Sequence, residues 1–374
     1  MRVAFFGAYD PSYARTATLI EGLTLRGDVV VPIATRSGGG PLGRAVVLAA
    51  HWAGAGGALD AVLVPSFGHR DMPLAAALAK IAGTPVIFDP LVSRWDTQVG
   101  DLGRVRAGSF AAGRLRASDR AALSLADLVL CDTWEHGDFY TTEYGVPRRK
   151  LCRVPVGADR AAFAQGGCAR PPRAASTGDP LEIVFVGGFL PLHGVDVIVG
   201  AAAMLESRRG PDFARFTLVG GGMTAPRTDR DVAARGLRSV RRVGRLPYEA
   251  ALDAVAGADL ALGIFGTTAK AGRVVPHKVF QSLAAGVPTI TRRSRAIAEF
   301  FREGAHLALV PPGDPAALAA AIERLAADPV GRAALGRAGR EEALAEGSPE
   351  RIGALLAEAV IRVRESTAPR RARR

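Results

Sequence analysis

Short apolar runs rich in Val, Ile, Leu and Phe alternate with longer segments of helical periodicity along the whole chain. Such runs predict strands buried on both faces, and the periodic segments predict the helices that cover them. The predicted strands of the first half are residues 3–6, 29–33, 61–65, 85–89 and 128–132. Those of the second half are residues 182–187, 216–220, 239–243, 260–264, 288–291 and 307–310. The alternation predicts an α/β chain built on parallel sheets.

Turn-forming residues mark the ends of three predicted helices. The first covers about residues 13–26 and is closed by Gly27, where a left-handed cap is favoured. The second begins at Pro276, whose fixed φ suits a first helical turn, and runs to residue 285. The last covers about residues 349–363 and precedes a basic tail.

A segment rich in Gly, Pro and Ser and without periodicity separates the two series of strands. It predicts a linker at residues 166–180 between domains at residues 1–165 and 181–348, with a C-terminal helix and basic tail at residues 349–374. Both domains are predicted to be doubly wound and Rossmann-like. Because open parallel sheets bind ligands at the carboxyl ends of their strands, the arrangement predicts an interdomain cleft.

Arginine supplies nearly all of the positive charge. The chain has 374 residues, 48% of them apolar, a net charge of +12, and four lysines among its 48 basic residues. This balance is compatible with anionic substrates, a membrane surface or nucleic acid, and equally with a solvated arginine surface. Aromatic residues are not interleaved with the basic ones, and no helix-turn-helix or zinc pattern is present, so no specific nucleic-acid binding is expected.

The number and spacing of the cysteines and the lengths of the apolar segments indicate the cellular compartment. Cys131, Cys152 and Cys168 are odd in number and lack metal-ligand spacing, which argues against a disulfide framework or a zinc site. The apolar stretch at the start of the sequence is too short for a signal peptide, and no membrane span is expected. A cytoplasmic protein is therefore predicted. The arginines of residues 101–120 favour either peripheral contact with the anionic inner face of the membrane or a solvated helix face.

Glycine-rich loops follow the first strand of each series. Gly7 and Ala8 end the first strand, but the loop lacks the further glycines of a dinucleotide fingerprint. Gly187 and Gly188 follow a strand and Gly194 precedes a helix, so backbone amides there would face a ligand. The alternative is that these glycines only permit a tight turn.

A cluster of cations precedes and opens the helix predicted at Pro276. The cluster consists of Lys270, Arg273, His277 and Lys278, and it includes two of the four lysines. Cations are unfavourable at a helix N-terminus, which already carries partial positive charge. The cluster therefore predicts a site for a multiply charged anion such as a diphosphate, against the alternative of a solvated basic loop.

At this point the chain resembles the retaining nucleotide-sugar glycosyltransferases of family 4, which have the GT-B fold of two facing Rossmann-like domains. The segments that carry the resemblance are FFGAYDPSYARTATLIEGL, FGHRDMPLA, PVIFDPLVS, FVGGFLPLHGVDVIVGAA, VGRLPYEAALDAVAGADLALGIF and KVFQSLAAGVPTI. Their order and spacing, rather than any one of them, make it specific. It implies an acceptor-side first domain and a second domain that binds the donor nucleotide.

The resemblance also implies roles for individual residues. Gly7 and Ala8 would lie against the donor, and His69 would lie near the transferred sugar. Gly187 and Gly188 would approach the diphosphate. The residues implied to face the base are Arg245 and Leu246.

Two departures from the family pattern concern charge. The family carries a Glu, seven residues and a second Glu where this chain has Arg273 and Gln281. Its usual Arg and Lys after the strand at residues 182–187 are replaced by Phe189 or its neighbour and by His193. We expect Gln281 still to accept a hydrogen bond from ribose, and Lys270, Arg273 and Lys278 to take over the diphosphate.

The reaction implied is hexosyl transfer from a nucleoside diphosphate sugar to a glycan, a lipid-linked sugar or a small-molecule aglycone. Retention, independence from a metal and the absence of a cofactor are expected, and no Asp-x-Asp metal motif is present in a suitable loop. The predicted catalytic residues are His69, Arg273 and Lys278, with Asp89 and Asp101 as acceptor contacts. The alternatives are a GT-B-type nucleotide-sugar epimerase and a non-catalytic sugar-nucleotide binding protein.

Overall fold

The computed structural model describes residues 1–35, 40–166 and 179–367. They form two compact units, the first comprising Met1–Val156 and the C-terminal segment from Pro349, the second Gly157–Ser348. The boundary thus falls at residue 156, earlier than the predicted residue 165. Most of the predicted linker, Cys168 and the end of the basic tail lie outside the described residues.

The described part of the first unit contains a parallel six-stranded sheet in the order β2-β1-β3-β4-β5-β6. Its strands are β1 (Arg2–Gly7), β2 (Val29–Ala34), β3 (Ala61–Val64), β4 (Val86–Phe88), β5 (Leu128–Cys131) and β6 (Leu151–Arg153). Its helices are α1 (Ala14–Leu25), α2 (Pro41–Gly54), α3 (Met72–Ala82), α4 (Phe110–Leu125) and α5 (Trp134–Tyr144), and α15 (Pro349–Thr367) returns from the end of the chain.

The second unit repeats the architecture, with a parallel six-stranded sheet among its described residues in the order β12-β11-β10-β7-β8-β9. Its strands are β7 (Leu181–Val186), β8 (Ala214–Val219), β9 (Val240–Val243), β10 (Leu260–Leu262), β11 (Thr289–Arg292) and β12 (Ala308–Val310). Its helices are α6 (Arg160–Gln165), α7 (Val195–Arg209), α8 (Ala225–Ala234), α9 (Tyr248–Ala256), α10 (Ala269–Arg273), α11 (His277–Ala284), α12 (Arg295–Ala298), α13 (Pro315–Ala327) and α14 (Pro329–Gly347).

The predicted strands are present, with ends shifted by one or two residues, and the fold class is confirmed. Two details differ. The short strand β6 was not predicted, and β2 is not buried on both faces, because it forms the edge of its sheet and exposes part of its length. An edge strand has a partner on one side only, so solvent reaches it.

Helix α15 belongs to the first unit because it packs along α1. Gly22 and Gly353 meet at this contact, and a Cβ on Gly22 would lie 2.6 Å from the backbone nitrogen of Gly353. Two glycines therefore let the helices approach closely, as small residues do wherever helix backbones meet. The buried face of α15, including Ile352, Leu356 and Val360, fills the core on one side of the first sheet.

No helix within the described ranges combines the length and the apolar character that crossing a membrane would require.

Candidate functional site

Three neighbouring strand ends of the second unit surround an open cleft of about 200 Å³. The loops after β7, β8 and β9 meet there, since these strands are adjacent in the sheet. The cleft brings together four residues that the sequence assigned to donor binding, Gly187, Gly188, Arg245 and Leu246. A site at the carboxyl ends of parallel strands is the position expected for a ligand in a doubly wound sheet.

Glycine backbone lines this cleft, and the amides do not all play the same part. The Gly187 amide donates to the Val219 carbonyl at 3.0 Å and so belongs to the sheet. Within the described part of the chain, the amides of Gly188 and Gly221 donate no hydrogen bond. Both amides can therefore donate to an anion or to a nucleobase, as can the guanidinium group of Arg245 in the same cleft.

Lys278, the second residue of α11, directs its ammonium group at the β7 loop. Its Nζ is buried and has no hydrogen-bond partner among the described residues. It lies 3.9 Å from the centre of the Phe185 ring, and a Cβ on Gly187 would overlap it. Burial lowers the pKa of Lys278 well below the ordinary lysine value. A desolvated ammonium without an acceptor is costly to the fold and favourable to an incoming anion.

His193 lies beside this lysine on the turn that follows β7. Its Nδ1 contacts the Gly188 carbonyl, so Nδ1 carries the hydrogen and Nε2 keeps its lone pair. Burial lowers the pKa of His193 well below its usual value, and the charges of Lys278 and Lys270 lower it further. The lowered pKa favours the neutral form of His193.

The other cations differ in part from the prediction. Lys270 and Arg273 lie in the separate helix α10, at its C-terminal end, and only His277 and Lys278 open helix α11. Pro276 is the N-cap of α11 rather than part of its first turn. The four residues therefore do not all belong to one helix, because the chain turns at residues 274–276 between two short helices.

Gln281 and Phe189, which stand where the family carries a Glu and a cation, have partners within this chain. Gln281 donates from Nε2 to the Tyr248 hydroxyl at 2.9 Å, and that hydroxyl donates to Asp159 at 2.5 Å. The side-chain oxygen Oε1 of Gln281 accepts no hydrogen bond within the described residues, as the prediction of a ribose contact requires. Phe189 is fully buried against Phe185, so this replacement of a family cation belongs to the core.

In the first unit, Gly7 and Ala8 form an internal contact. The Ala8 amide donates to the Asp71 carboxylate at 3.0 Å, and Gly7, at φ 131°, leaves room for that carboxylate. Asp71 also pairs with Arg44 at 3.1 Å. The Ala8 amide therefore already has a partner within the first unit. This internal contact is an alternative to the predicted contact of Gly7 and Ala8 with the donor nucleotide sugar.

His69 is buried beside a polar network that the sequence did not reveal. Its Nε2 lies 3.6 Å from Asp119, and its ring meets Phe88 edge to face at 5.0 Å. Asp119 accepts from Ser93 at 2.7 Å and from the Trp95 amide at 2.9 Å. Burial lowers the pKa of His69, although the charge of the neighbouring Asp119 opposes this.

The two predicted acceptor contacts are not on the surface. Asp89 is buried and binds the Arg15 guanidinium through both oxygens, at 3.0 and 3.1 Å. Asp101 is also buried, at the end of the helical turn Asp96–Asp101. The prediction that these carboxylates meet an acceptor is corrected for Asp89, because both of its oxygens are already occupied, and Asp101 exposes only 5% of its surface.

Sequence reasoning missed Gly220 and Gly221, which line the cleft opposite Gly187. The signal was present, since the run Gly220–Gly222 follows the apolar end of β8 directly. A Cβ on Gly220 would overlap the Gly187 carbonyl oxygen, whereas one on Gly221 would meet nothing within 4 Å. Gly220 therefore allows the two loops to touch.

Gly220 and Gly221 provide a matched pair of alanine substitutions that tests whether the two loops touch. We expect Gly220→Ala to lower the free energy of unfolding by about 1–3 kcal/mol, because the new methyl group meets backbone and the residue has φ 117°. Gly221→Ala should stay within about 0.5 kcal/mol of the native protein. Urea unfolding of both variants measures the difference. Equal stabilities would show that the two loops do not touch as described.

Comparison with known proteins identifies similar sequences. Residues 180–328 match the model of the family described as glycosyl transferases group 1. A D-inositol 3-phosphate glycosyltransferase of Acidothermus cellulolyticus is 30% identical over 66% of this chain and 56% of its own length. Its counterpart in Nocardiopsis dassonvillei is 28% identical over 71% of this chain and 64% of its own length. The chain thus spans less than two thirds of these relatives.

Solved structures share the fold over nearly the whole chain. Anabaena Alr3699/HepE in complex with UDP superposes with a TM-score of 0.70 and 15% identity, covering 96% of this chain and all of that one. The sucrose-phosphate synthase of Thermosynechococcus elongatus gives 0.72 and 17%, covering 98% of this chain and all of its own. Together with the family match, these findings confirm the resemblance to GT-B glycosyltransferases stated from the sequence.

Proposed function

We propose that this chain, whose residues 180–328 match the family described as glycosyl transferases group 1, moves a sugar from a nucleoside diphosphate sugar to an acceptor. The relatives bear the names of glycosyltransferases, and Anabaena HepE has been solved with UDP and with UDP-glucose. We take a uridine nucleotide as the donor on this ground. The donor site is the cleft at the ends of β7, β8 and β9.

The observation that carries the proposal is the ammonium group of Lys278. It is buried without a partner among the described residues, and Gly187 leaves space for it beside the free amide of Gly188. Such a charge is unfavourable in the empty protein and becomes favourable when a dianionic or trianionic group enters. A diphosphate meets this need better than a neutral ligand does.

The proposed transfer breaks the bond between the anomeric carbon of the sugar and a phosphate oxygen. The bonding electron pair goes to that oxygen, and the acceptor hydroxyl forms the new bond to carbon and gives its proton to the same phosphate. Negative charge therefore grows on the leaving diphosphate while the sugar becomes cationic. Lys278 and Lys270 supply fixed positive charge where it grows, and the amides of Gly188 and Gly221 supply hydrogen-bond donors.

Retention of configuration and independence from a metal are part of the proposal. If the leaving phosphate takes the acceptor proton on the face from which it departs, the product keeps the configuration of the donor and needs no separate base. Two lysine charges offset the developing charge, as a metal ion would in other enzymes. Arg273, at the position of a family carboxylate, is proposed to add to this positive field, and Gln281 to accept from the ribose.

Ligand-induced thermal stabilisation tests donor binding. A nucleotide present at about 100 times its dissociation constant should stabilise the protein by about 2.7 kcal/mol. We expect UDP and a UDP-sugar to raise the unfolding temperature, while uridine, which lacks the diphosphate, has little effect. Failure of every nucleoside diphosphate to do so would remove the proposed site.

Product analysis separates transfer from the other activities of this fold. With a UDP-sugar and a panel of acceptors, transfer releases UDP and forms a glycoside of the donor configuration. An epimerised donor formed without acceptor would instead indicate an epimerase. Tight donor binding without UDP release from any acceptor mixture would indicate a binding protein.

A further inference from the structure

An open cleft of about 810 Å³ lies within the first unit, separate from the donor cleft of the second. The loops after β3 and β4 and one face of α4 form it. Three arginines line it, Arg70 from the first loop, Arg94 from the second and Arg114 from the helix. No acidic residue is among the described residues that line it.

Some arginines of the first unit pair with a carboxylate, whereas these three do not within the described residues. In the same unit Arg15 pairs with Asp89, Arg44 with Asp71 and Arg116 with Glu143. Among the described residues, no carboxylate lies within ion-pair distance of Arg70, Arg94 or Arg114. The cleft therefore concentrates positive charge that nothing in the described chain neutralises.

Arg94 is the most constrained of the three. It is half-buried, and its one hydrogen bond is to the Ser118 hydroxyl at 3.2 Å, which leaves most of its five N–H donors unused. Its charge also reaches the buried His69 and contributes to lowering the pKa of that histidine. Arg94 is thus fixed at the edge of the cleft with its donors available.

Two non-glycine residues with positive φ lie in or next to the lining of the same cleft. Phe67, at φ 68°, and Leu91, at φ 57°, are the non-glycine residues with positive φ in the described ranges. Phe67 lines the cleft and is 51% exposed, and Leu91 precedes the lining residue Val92. Conformations of this kind cost of order 1–3 kcal/mol and cluster where ligands bind.

We propose that this cleft binds the acceptor through a phosphate group held by Arg70, Arg94 and Arg114. This inference rests on the proposed function, whose acceptor it assigns to phosphorylated small molecules. Guanidinium groups recognise phosphate by paired hydrogen bonds, and three of them match a dianion with three terminal oxygens. The volume lies within the range of small-molecule sites, and a concave site with apolar walls fits a sugar or polyol phosphate better than a flat membrane surface.

Calorimetric titration with phosphorylated probes tests the inference. Glucose 6-phosphate, glycerol 3-phosphate and inorganic phosphate are titrated into the protein with UDP at saturation, so that the donor cleft is filled, and glucose and glycerol serve as uncharged counterparts. We expect the phosphorylated probes to bind and the uncharged ones not to. Arg94→Gln should weaken binding by about ten- to a hundredfold, the worth of a charge-assisted contact.

Arg120→Gln is the matched control. Arg120 lies on the same helix α4, is exposed, and donates to the Glu143 carbonyl rather than lining the cleft. The Arg120→Gln substitution removes the same charge and should leave the binding of the phosphorylated probes unchanged. A triple variant, Arg70→Gln with Arg94→Gln and Arg114→Gln, should abolish probe binding while UDP still binds with native affinity.

Three results would overturn the inference. In the first, UDP binds but none of the phosphorylated probes does. In the second, the triple variant binds the probes as well as the native protein. In the third, vesicles containing phosphatidylglycerol bind through the three arginines while small phosphates do not, which would assign the cleft to a membrane. If UDP itself fails to bind, the proposed function fails, and titration of the probes without UDP still decides what the cleft binds.

Discussion

Replacing Lys278 by methionine is expected to reduce donor turnover by about 10²- to 10³-fold, the usual effect of removing one preorganised donor to a developing anion. Methionine keeps the length of the side chain and its contact with Phe185 but removes the charge beside Gly187. Steady-state release of UDP from a UDP-sugar measures the effect. The loss should appear mainly in kcat, because the charge on the diphosphate grows as the bond breaks.

The same substitution should leave the protein equally stable or more stable. The native ammonium is desolvated and has no partner in the described residues, so methionine removes a cost to folding. Activity and stability are then expected to change in opposite directions, as at many functional sites. Lys80→Met, at an exposed position of α3, removes the same charge and should change neither quantity.

The pH dependence of stability gives an independent check of the buried lysine. Burial lowers the pKa of Lys278 in the folded protein, whereas the unfolded chain keeps the ordinary lysine pKa of about 10.4. Between these two values the unfolded state holds more protons, so the native stability should rise with pH. The rise should be missing from Lys278→Met. Full activity of that variant, or an unchanged pH profile, would place the ammonium in solvent rather than in the site.

The cleft of the second unit could be predicted from sequence because its lining depends on local signals. A glycine that directly follows a buried strand faces the ligand edge of a parallel sheet, and Gly187 and Gly188 line the cleft at that edge. The same reasoning applies to Gly220 and Gly221, whose run after β8 was overlooked. What local signals could not show is that Lys278 reaches Phe185 and Gly187, because this depends on where α11 lies in the folded unit.

The polar residues of the first unit could not be predicted in the same way, because distant partners decide the role of each one. Asp89 follows a strand just as a ligand-binding carboxylate would, yet Arg15, 74 positions earlier, occupies both of its oxygens. Arg70, Arg94 and Arg114 show no pattern in sequence and converge only when two loops and a helix meet.

The strand β6 was missed since its three residues follow a charged turn.

The corrected role of Asp89 leads to a large effect on stability. Replacing Asp89 by alanine leaves the Arg15 guanidinium buried without its carboxylate, and breaking such a pair costs about 3–5 kcal/mol. Arg15 also donates to the Pro155 carbonyl, next to the last residue of the first unit's main segment, so its displacement should loosen that end. Urea unfolding is expected to show the loss in the first unit.

Combining two substitutions separates the buried pair from an acceptor contact. Arg15→Met with Asp89→Leu replaces both charges by apolar groups of similar size and should recover much of the stability lost in Asp89→Ala, since a matched apolar pair is often neutral. The double variant should also keep the native KM for the acceptor, because neither side chain is exposed to it. A stable Asp89→Ala protein with a raised acceptor KM would instead restore the acceptor contact predicted from the sequence. The buried ion pair therefore fixes the end of β4, from which the loop carrying Arg94 begins.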